Sequence, residues 1–322
     1  MFEKFENRRI IVTGGLGFIG SHLIRRLESL RLRELVILDN FGTGSLENLG
    51  QLPANVRVEK CHIGSTSASV LKSLLKDCDY LFHLAAEKHN QSLRTPFQLI
   101  DSNVSGTQAL LEAAAENGVR KVVFSSSLYA YGRLRGNHMQ ENEATAPITV
   151  YGASKLFGEN LLAHFSKFFG LKSITLRYFF VYGPKQYAGM GYKSVILKNF
   201  ERILKDEAPI ICGDGAQKLD YTYVEDIVEA TLLAMESDIS DEIINLGSGK
   251  GTSISELTTS MLQTAGKKLN PNYVEPDWTA DTCRVANTEK ATRLLKWSPK
   301  ISLVDGLNRT YEWMKLRVSD EI

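Results

Sequence analysis

Seven short runs of mostly apolar and β-branched residues recur along the chain, and stretches with helical spacing separate most of them. Apolar character at nearly every position is typical of strands that are buried on both faces. Alternation of such strands with helices favours right-handed crossovers around a parallel sheet. The sequence therefore predicts an α/β fold with a doubly wound parallel sheet, whose strands are 9–13, 35–38, 56–59, 80–84, 122–125, 173–178 and 243–246.

Beyond about residue 180 the pattern loosens into loops that glycine and proline interrupt, as at Tyr182-Gly183-Pro184 and Gly213-Asp214-Gly215. The late strand then returns the chain to the sheet, so we expect two interleaved units rather than two consecutive ones. The sheet domain would comprise 1–180 plus about 242–269, and a smaller α/β lobe about 181–241 plus 270–322.

Composition narrows the class of partner. A net charge of +1 with 23% charged residues produces no field of one sign, so neither nucleic acid nor an anionic membrane is favoured. The N-terminus lacks the apolar segment of a signal peptide, and no apolar run approaches the roughly 18–20 residues of a membrane span. We expect a cytoplasmic protein that acts on small molecules. The four cysteines are far apart, which favours reduced thiols over a metal site or disulfides.

A glycine-rich turn follows the first predicted strand and precedes a helical stretch at 21–27. Gly14 and Gly17 would allow a tight turn and close approach of the backbone to a pyrophosphate, and Gly20 would let helix and strand pack. The N–H groups of the helix would meet the anion. In this context the turn predicts a dinucleotide site, against the alternative of a turn that binds nothing.

Asp39 stands at the end of the second predicted strand, 19 residues after Gly20. A carboxylate at that place could accept hydrogen bonds from both ribose hydroxyls of an adenosine and would repel a 2′-phosphate. Asp39-Asn40-Phe41-Gly42 also suits a solvated turn. The spacing favours the ribose role, and with it NAD over NADP.

Tyr151 and Lys155 are four residues apart on a predicted helix, a pair that alone often lies on an exposed helix face. The hydroxyls of 125–127 end the fifth predicted strand, where α/β sheets place their ligands. A phenol with an ordinary pKa near 10 can act as a base near neutrality only if positive charge stabilises the phenolate. Lys155, one helical turn away, supplies that charge.

With these motifs in this order, the chain resembles the extended short-chain dehydrogenase/reductase family, in its NAD-dependent nucleotide-sugar epimerase and dehydratase branch, which includes UDP-glucose 4-epimerase-like enzymes. The resemblance covers nearly the whole length. Its landmarks here are Gly14-x-x-Gly17-x-x-Gly20, Asp39-Asn40, His83-Leu84-Ala85-Ala86, Asn103-Val104-Ser105-Gly106-Thr107, Ser125-Ser126-Ser127, Tyr151-x-x-x-Lys155, Arg177-Tyr178-Phe179, Tyr182-Gly183-Pro184 and Gly213-Asp214-Gly215.

The resemblance implies a Rossmann-type NAD-binding domain and a substrate-binding lobe, with no metal. It implies Ser127, Tyr151 and Lys155 as the catalytic residues. The implied cofactor contacts are Gly14, Gly17, Phe18, Ile19, Gly20, Asp39, Asn40, His62, Ile63, Leu84, Ala85, Ala86, Lys88, Asn103, Tyr151, Lys155 and Tyr178, with a structural role as the alternative for Asn103. The implied substrate contacts are Ser127, Tyr151, Phe180, Lys193 and Arg284.

The same resemblance implies a reaction in which Tyr151 takes the proton of a sugar hydroxyl while NAD receives hydride from the same carbon. In an epimerase the transient 4-keto sugar turns and receives the hydride on its other face. The family's 4,6-dehydratases carry an Asp-Glu pair directly after the catalytic hydroxyl, and its decarboxylating members keep a Glu; here Leu128 and Tyr129 stand there. We therefore expect 4-epimerisation of a nucleotide-diphosphate sugar. A 4-ketoreductase or dehydratase, and a non-catalytic NAD-binding sensor or scaffold, remain alternatives.

Three positions depart from the family pattern. Phe180 and Leu219 replace the usual diphosphate-binding Asn and Arg, and His62 replaces an Asp near adenine. Substitute cations would come from among Lys185, Lys193, Lys198, Lys218 and Arg284.

Other side chains have two interpretations each. Glu87 and His89 follow the fourth strand and are candidates for a further acid or base, although a single loop histidine is more often structural. Trp278 suits either a nucleotide base or the core. The apolar faces of the helical stretches 106–114 and 156–162 predict a helix-pair homodimer interface.

Overall fold

The structure is a computed structural model that describes residues 2–89, 91–132, 138–186, 193–277, 279–280 and 282–320. Its strands are β1 Arg9–Thr13, β2 Glu34–Asp39, β3 Val56–Lys60, β4 Tyr80–His83, β5 Lys121–Ser127, β6 Ser173–Tyr178, β7 Val181–Tyr182, β8 Ile210–Cys212, β9 Lys218–Leu219, β10 Thr222–Tyr223, β11 Glu242–Leu246, β12 Thr252–Ser253, β13 Asn272–Val274 and β14 Cys283–Arg284. Its α-helices are α1 Phe18–Glu28, α2 Ala68–Leu74, α3 Gln91–Arg94, α4 Pro96–Ile100, α5 Thr107–Glu116, α6 Val150–Phe169, α7 Val195–Leu204, α8 Val224–Glu236, α9 Ile254–Ala265, α10 Glu289–Leu295 and α11 Leu303–Asp320.

Seven parallel strands form the central sheet in the order β3-β2-β1-β4-β5-β6-β11, which confirms the fold and the seven strands predicted from the sequence. The chain first winds outwards from β1 to β3 and then crosses back to β4. The winding direction therefore reverses between β1 and β4, and this is the place where open α/β sheets bind their ligands.

Helices cover both faces of the sheet. On one face α8 packs against α1, β5 and β6, and on the other α6 packs against α5, β5 and β6. Two apolar clusters fill the space between helices and sheet, one around Val12, Ile37 and Phe82 and the other around Ile11 and Val36. Neighbouring residues of one strand alternate between the clusters because side chains of a strand point to opposite faces.

A smaller lobe lies beyond the carboxyl end of β6. It contains the short sheets β12-β9-β14, β13-β8 and β10-β7, together with α7, α9 and α11, which pack against one another. The predicted boundaries assign α8 to this lobe and α9 to the sheet domain. In the structure the apolar face of α8 packs on the central sheet, against β5 and β6. The apolar face of α9 packs instead against α7 and α11 of the smaller lobe.

Among the described residues, the helices include none that combines the length and the apolar character required to cross a bilayer.

Candidate functional site

A cleft of about 600 Å³ opens at the carboxyl ends of the central strands. It extends from Asp39 at the end of β2, past the glycine turn, to Phe180 and Gln186 at the edge of the smaller lobe. Most residues to which the sequence assigned a contact line it: Gly14, Gly17, Phe18, Ile19, Gly20, Asp39, Asn40, His62, Ile63, Leu84, Ala85, Ala86, Lys88, Ser127, Tyr151, Lys155, Tyr178 and Phe180.

Two glycines of the turn, Gly14 and Gly20, have no room for a side chain. Gly14 has a φ of +71°, and a Cβ added to it would lie 2.8 Å from the backbone of Ala85. A Cβ at Gly20 would lie 2.1 Å from the carbonyl oxygen of Gly14, so helix α1 could not pack so close to β1. Gly17 is the N-cap of α1, and the unpaired N–H groups of the first helical turn face the cleft. This arrangement fits the pyrophosphate of NAD.

Asp39 lies next to this turn, and its carboxylate is buried at the cleft wall. Its Oδ2 accepts a hydrogen bond from the N–H of Leu16 at 3.0 Å, and its Oδ1 accepts one from the N–H of Phe41 at 2.9 Å. Burial raises the pKa of this carboxyl, while the backbone hydrogen bonds oppose the shift. A carboxylate held so rigidly fits an adenosine ribose and not a 2′-phosphate.

Tyr151, Ser127 and Lys155 meet at the centre of the cleft. Thr149 caps α6 by accepting a hydrogen bond from the N–H of Gly152 at 3.0 Å, which fixes Tyr151 in the first turn of the helix. The phenol of Tyr151 hydrogen-bonds to Ser127. The Nζ of Lys155 lies 5.7 Å from the centre of the Tyr151 ring and donates to the carbonyl of Ser125 at 2.8 Å.

Burial controls the protonation of this group. It raises the pKa of Tyr151 to about 12, although the hydrogen bond from Ser127 opposes the rise. It lowers the pKa of Lys155 to about 7, against the opposing charge of Glu159. In the protein alone the phenol therefore holds its proton at neutral pH, and it becomes a base only when further positive charge enters the cleft.

Glu159 and Arg177 form a buried ion pair behind this centre. The guanidinium of Arg177 donates to both carboxylate oxygens of Glu159, at 2.9 and 2.7 Å, and both side chains are 2% exposed. The hydroxyl of Ser126 donates to the same carboxylate. The Arg177 guanidinium also lies 4.2 Å above the ring of Tyr131. The sequence landmarks include Arg177, but nothing in their spacing indicated Glu159 as its partner.

His83 is a second buried group for which the sequence suggested no role. Its Nδ1 lies 2.7 Å from the hydroxyl of Thr13 and its Nε2 lies 2.9 Å from that of Thr107. The Thr107 hydroxyl donates to the carbonyl of Asn103, so it must accept from Nε2. Burial, with the charge of Lys155, lowers the pKa of His83 to about 3, and the ring is a neutral tie between β1, β4 and α5.

Asn103 does not line the cleft. It lies in the π-helical turn Asp101–Gly106, where its amide accepts from the N–H of Glu87 at 2.7 Å and donates to the carbonyl of Glu87 and the hydroxyl of Ser154, both at 3.1 Å. Of its two predicted roles, structural and cofactor-binding, these bonds correspond to the structural one. They hold the loop after β4 against α6.

The five cations considered as diphosphate partners all lie outside the lining of the cleft. Lys193 binds both carboxylate oxygens of Glu201 at 2.7 Å. Arg284 is buried on β14, in register with Leu219 on β9, and its charge contributes to the lowered pKa of His89. Lys193 is therefore paired with Glu201, whereas the charge of Arg284 reaches His89, whose ring lies beside Tyr151. Trp278 lies outside the described residues.

Several cleft residues had no assigned role or only an uncertain one. They all lie outside the seven strands of the central sheet: Thr43, Cys61, Glu87, His89, Gln98, Ser102, Leu128, Tyr129, Val181 and Gln186. The sequence did indicate Glu87 and His89 as candidates for a further acid or base.

Comparison with known proteins agrees with this geometry. The model of the NAD dependent epimerase/dehydratase family matches residues 10–247. A putative UDP-glucose 4-epimerase of Methanocaldococcus jannaschii is 34% identical over 309 residues, which cover 95% of this chain and 98% of that protein.

Two solved structures are similar over almost their whole length. The UDP-N-acetylglucosamine 4-epimerase of Methanobrevibacter ruminantium M1, in complex with UDP-N-acetylmuramic acid, has a TM-score of 0.91 at 32% identity, covering 97% of this chain and 99% of that one. The UDP-glucuronic acid 4-epimerase of Bacillus cereus, in complex with UDP-glucuronic acid and NAD, has a TM-score of 0.86 at 32% identity, covering 96% and 99%.

Proposed function

Because this chain belongs to the NAD-dependent epimerase/dehydratase family, we propose that it is a nucleotide-sugar 4-epimerase that acts through a transient 4-keto sugar. The observation that carries the proposal is the convergence of Ser127, Tyr151 and Lys155 in the cleft, without a carboxylate at positions 128 and 129. Similar proteins whose names specify UDP-sugar 4-epimerases support a UDP-linked hexose as the substrate class.

Ser127, Tyr151 and Lys155 have separate roles in the proposed reaction. Ser127 holds the 4-hydroxyl of the sugar against the phenol of Tyr151, which removes its proton. When bound, NAD supplies a reversible hydride acceptor and the positive charge of its oxidised nicotinamide. The Lys155 ammonium, with the positive charge that bound NAD would add, would lower the pKa of Tyr151 from its buried value towards neutrality. Tyr151 then returns the proton after the ketone has turned, so the protein ends each cycle in its starting state.

The residues after Ser127 favour epimerisation over elimination of water. Elimination requires an additional acid and base beside the sugar. Leu128 is buried and apolar, and Tyr129 carries a phenol, so neither supplies a carboxylate. A 4-ketoreductase would need only Ser127, Tyr151 and Lys155, but Asp39 opposes the NADPH that many reductases use.

We propose that a second copy of the chain docks on the face formed by α5 and α6. The two helices border a groove, and α6 exposes the rings of Phe157, Phe168 and Phe169 at 40, 65 and 60%. Apolar area of this kind is typical of an interaction surface, and two copies of one helix pair can pair with each other. Light scattering after gel filtration should give a dimer that Phe168→Asp converts to a monomer. Val304→Asp, at a 55% exposed site on α11, should leave the dimer intact.

We place the protein in the cytoplasm. Among the described residues, Cys61, Cys78, Cys212 and Cys283 form no disulfide, as is usual in a reducing compartment. Cell fractionation that recovered the protein outside the cytoplasm would contradict this placement.

The decisive experiment is incubation of the NAD-loaded protein with UDP-, dTDP-, GDP- and CDP-hexoses, with product stereochemistry read by NMR. Interconversion of 4-epimers without net reduction of NAD is the expected result. Loss of water at C5–C6 would indicate a dehydratase instead, and turnover only with added reduced cofactor a reductase. Absence of any reaction on the whole panel, with NAD bound, would favour a sensor or scaffold.

A further inference from the structure

Two stacked aromatic rings lie beside the reacting end of the cleft. His89 comes from the loop after β4, and Tyr129 from the 3-10 turn Leu128–Ala130 that follows β5. Their ring centroids are 4.4 Å apart, with 26° between the planes. Both residues line the cleft, and we call this pair the His89–Tyr129 wall.

The wall is fixed relative to the catalytic residues. The Tyr129 ring meets the Tyr151 ring edge-to-face at 5.7 Å and 79°, and the His89 ring meets it at 6.2 Å and 69°. The N–H of Tyr129 donates to the hydroxyl of Ser127 at 3.3 Å. A sugar whose 4-hydroxyl lies between Ser127 and Tyr151 would therefore have this wall at its side.

The wall belongs to the cleft and not to the core. Both of its rings are half-buried, and Tyr129 packs from outside against a small cluster formed by Leu128, Tyr131, Met139, Phe179 and Ala286. Burial, followed by the charge of Arg284, lowers the pKa of His89 and so favours its neutral imidazole. An uncharged aromatic surface offers nothing to a phosphate, but it suits the C–H face of a pyranose ring.

We propose that the His89–Tyr129 wall is the stacking surface for the hexose ring and determines which sugars the enzyme accepts. The proposal rests on the 4-epimerase function proposed above. An epimerase must hold its keto sugar in two orientations, one on each side of a half turn. Stacking is only weakly directional, so one wall can serve both orientations, whereas a fixed set of hydrogen bonds would favour one.

Binding measurements isolate the contribution of the wall. Calorimetry on the NAD-loaded protein compares UDP with UDP-glucose, and the ratio of the two affinities measures what the sugar adds. Tyr129→Ala should reduce this ratio about tenfold while the affinity for UDP stays unchanged. Tyr129→Phe, which keeps the ring and removes only the hydroxyl, should retain the ratio of the parent protein.

His89 is tested in the same way. His89→Phe should preserve the sugar's contribution and His89→Ala should reduce it, because stacking requires a ring and not a titratable nitrogen. A His89→Phe protein that binds like the parent but loses turnover would show that His89 transfers protons, which overturns its assignment to the wall. Unchanged ratios in both alanine variants would overturn the wall itself, as would a parent protein that binds UDP-glucose no better than UDP.

Turnover supplies a second readout that a merely structural role would not change. If the wall holds the keto sugar during its turn, Tyr129→Ala should release ketone into solution, where hydroxylamine captures it for mass spectrometry. Tyr129→Phe should release no more than the parent. Absence of epimerisation by the parent on every sugar would overturn the proposed function. The binding ratio would still test whether the His89–Tyr129 wall stacks on the hexose.

Discussion

Replacement of Arg177 by methionine tests how strongly the buried ion pair behind the catalytic residues stabilises the fold. Methionine keeps much of the apolar volume of the arginine stem and removes both hydrogen bonds to Glu159, of 2.9 and 2.7 Å. The carboxylate would then be left in a site where it is 2% exposed. Removal of one partner of such a pair costs about 3–5 kcal/mol, because the remaining charge is buried without compensation.

The assay is urea unfolding of the NAD-free protein at one protein concentration, followed by circular dichroism, since bound ligand and dimerisation both shift apparent stability. Arg177→Met should lower the free energy of unfolding by about 3–5 kcal/mol. The double variant Arg177→Met with Glu159→Gln removes both charges and should recover about half of that loss.

A surface pair provides the control. Arg309 lies 2.9 Å from Glu225, and both side chains are about half exposed. Arg309→Met should change the free energy of unfolding by at most about 1 kcal/mol. The reasoning fails if Arg177→Met costs no more than this control, or if the double variant is as unstable as the single one.

Three further outcomes follow from the site. Tyr151→Phe should reduce turnover by about 10²–10⁴-fold, the usual contribution of a positioned acid–base group, while NAD measured in the purified protein stays at the parent level; equal turnover would remove Tyr151 from its role. Burial lowers the pKa of Lys155 to about 7, below its usual 10.5, so above pH 7 the unfolded state binds more protons than the folded one. The stability deficit of the parent relative to Lys155→Met should therefore shrink as pH rises from about 7 to 10.5, and a constant difference in urea unfolding would contradict the assigned shift. The Cβ that Gly17→Ala adds would contact only the carbonyl oxygen of Gly14, at 3.3 Å, so the melting temperature without NAD should stay close to that of the parent. The affinity for NAD should fall at least about tenfold. Equal affinity in titration would mean that the pyrophosphate lies elsewhere.

The sequence was sufficient for those parts of the molecule that local pattern determines. Short runs of apolar and β-branched residues have a recognisable composition, so the seven strands of the sheet were found before the structure, including the partly exposed edge strand β3. The glycine turn could also be predicted, since any side chain at Gly14 or Gly20 would clash with neighbouring backbone atoms.

Contacts between distant segments could not be read in this way. The tie of His83 to Thr13 and Thr107, and the pairing of Glu159 with Arg177, join elements whose separation along the chain carries no periodic signal. The assignment of α8 and α9 had the same difficulty, because both are amphipathic and only tertiary packing decides which surface each one covers. Charge alone was misleading as well. Lys193 was a candidate for binding the substrate diphosphate, but it forms a salt bridge with Glu201.

The position of β11 at the edge of the sheet has a consequence for synthesis on the ribosome. Its partner β6 is buried along its whole length in the folded protein, but Glu242 lies 64 positions after Tyr178, the last residue of β6. At about 5–20 residues per second, the free edge of β6 waits roughly 3–13 s for its neighbour to emerge. An open apolar strand edge is a template for pairing with other chains. Nascent chains that stall within this interval should therefore aggregate or require a chaperone, whereas chains released after β11 should not.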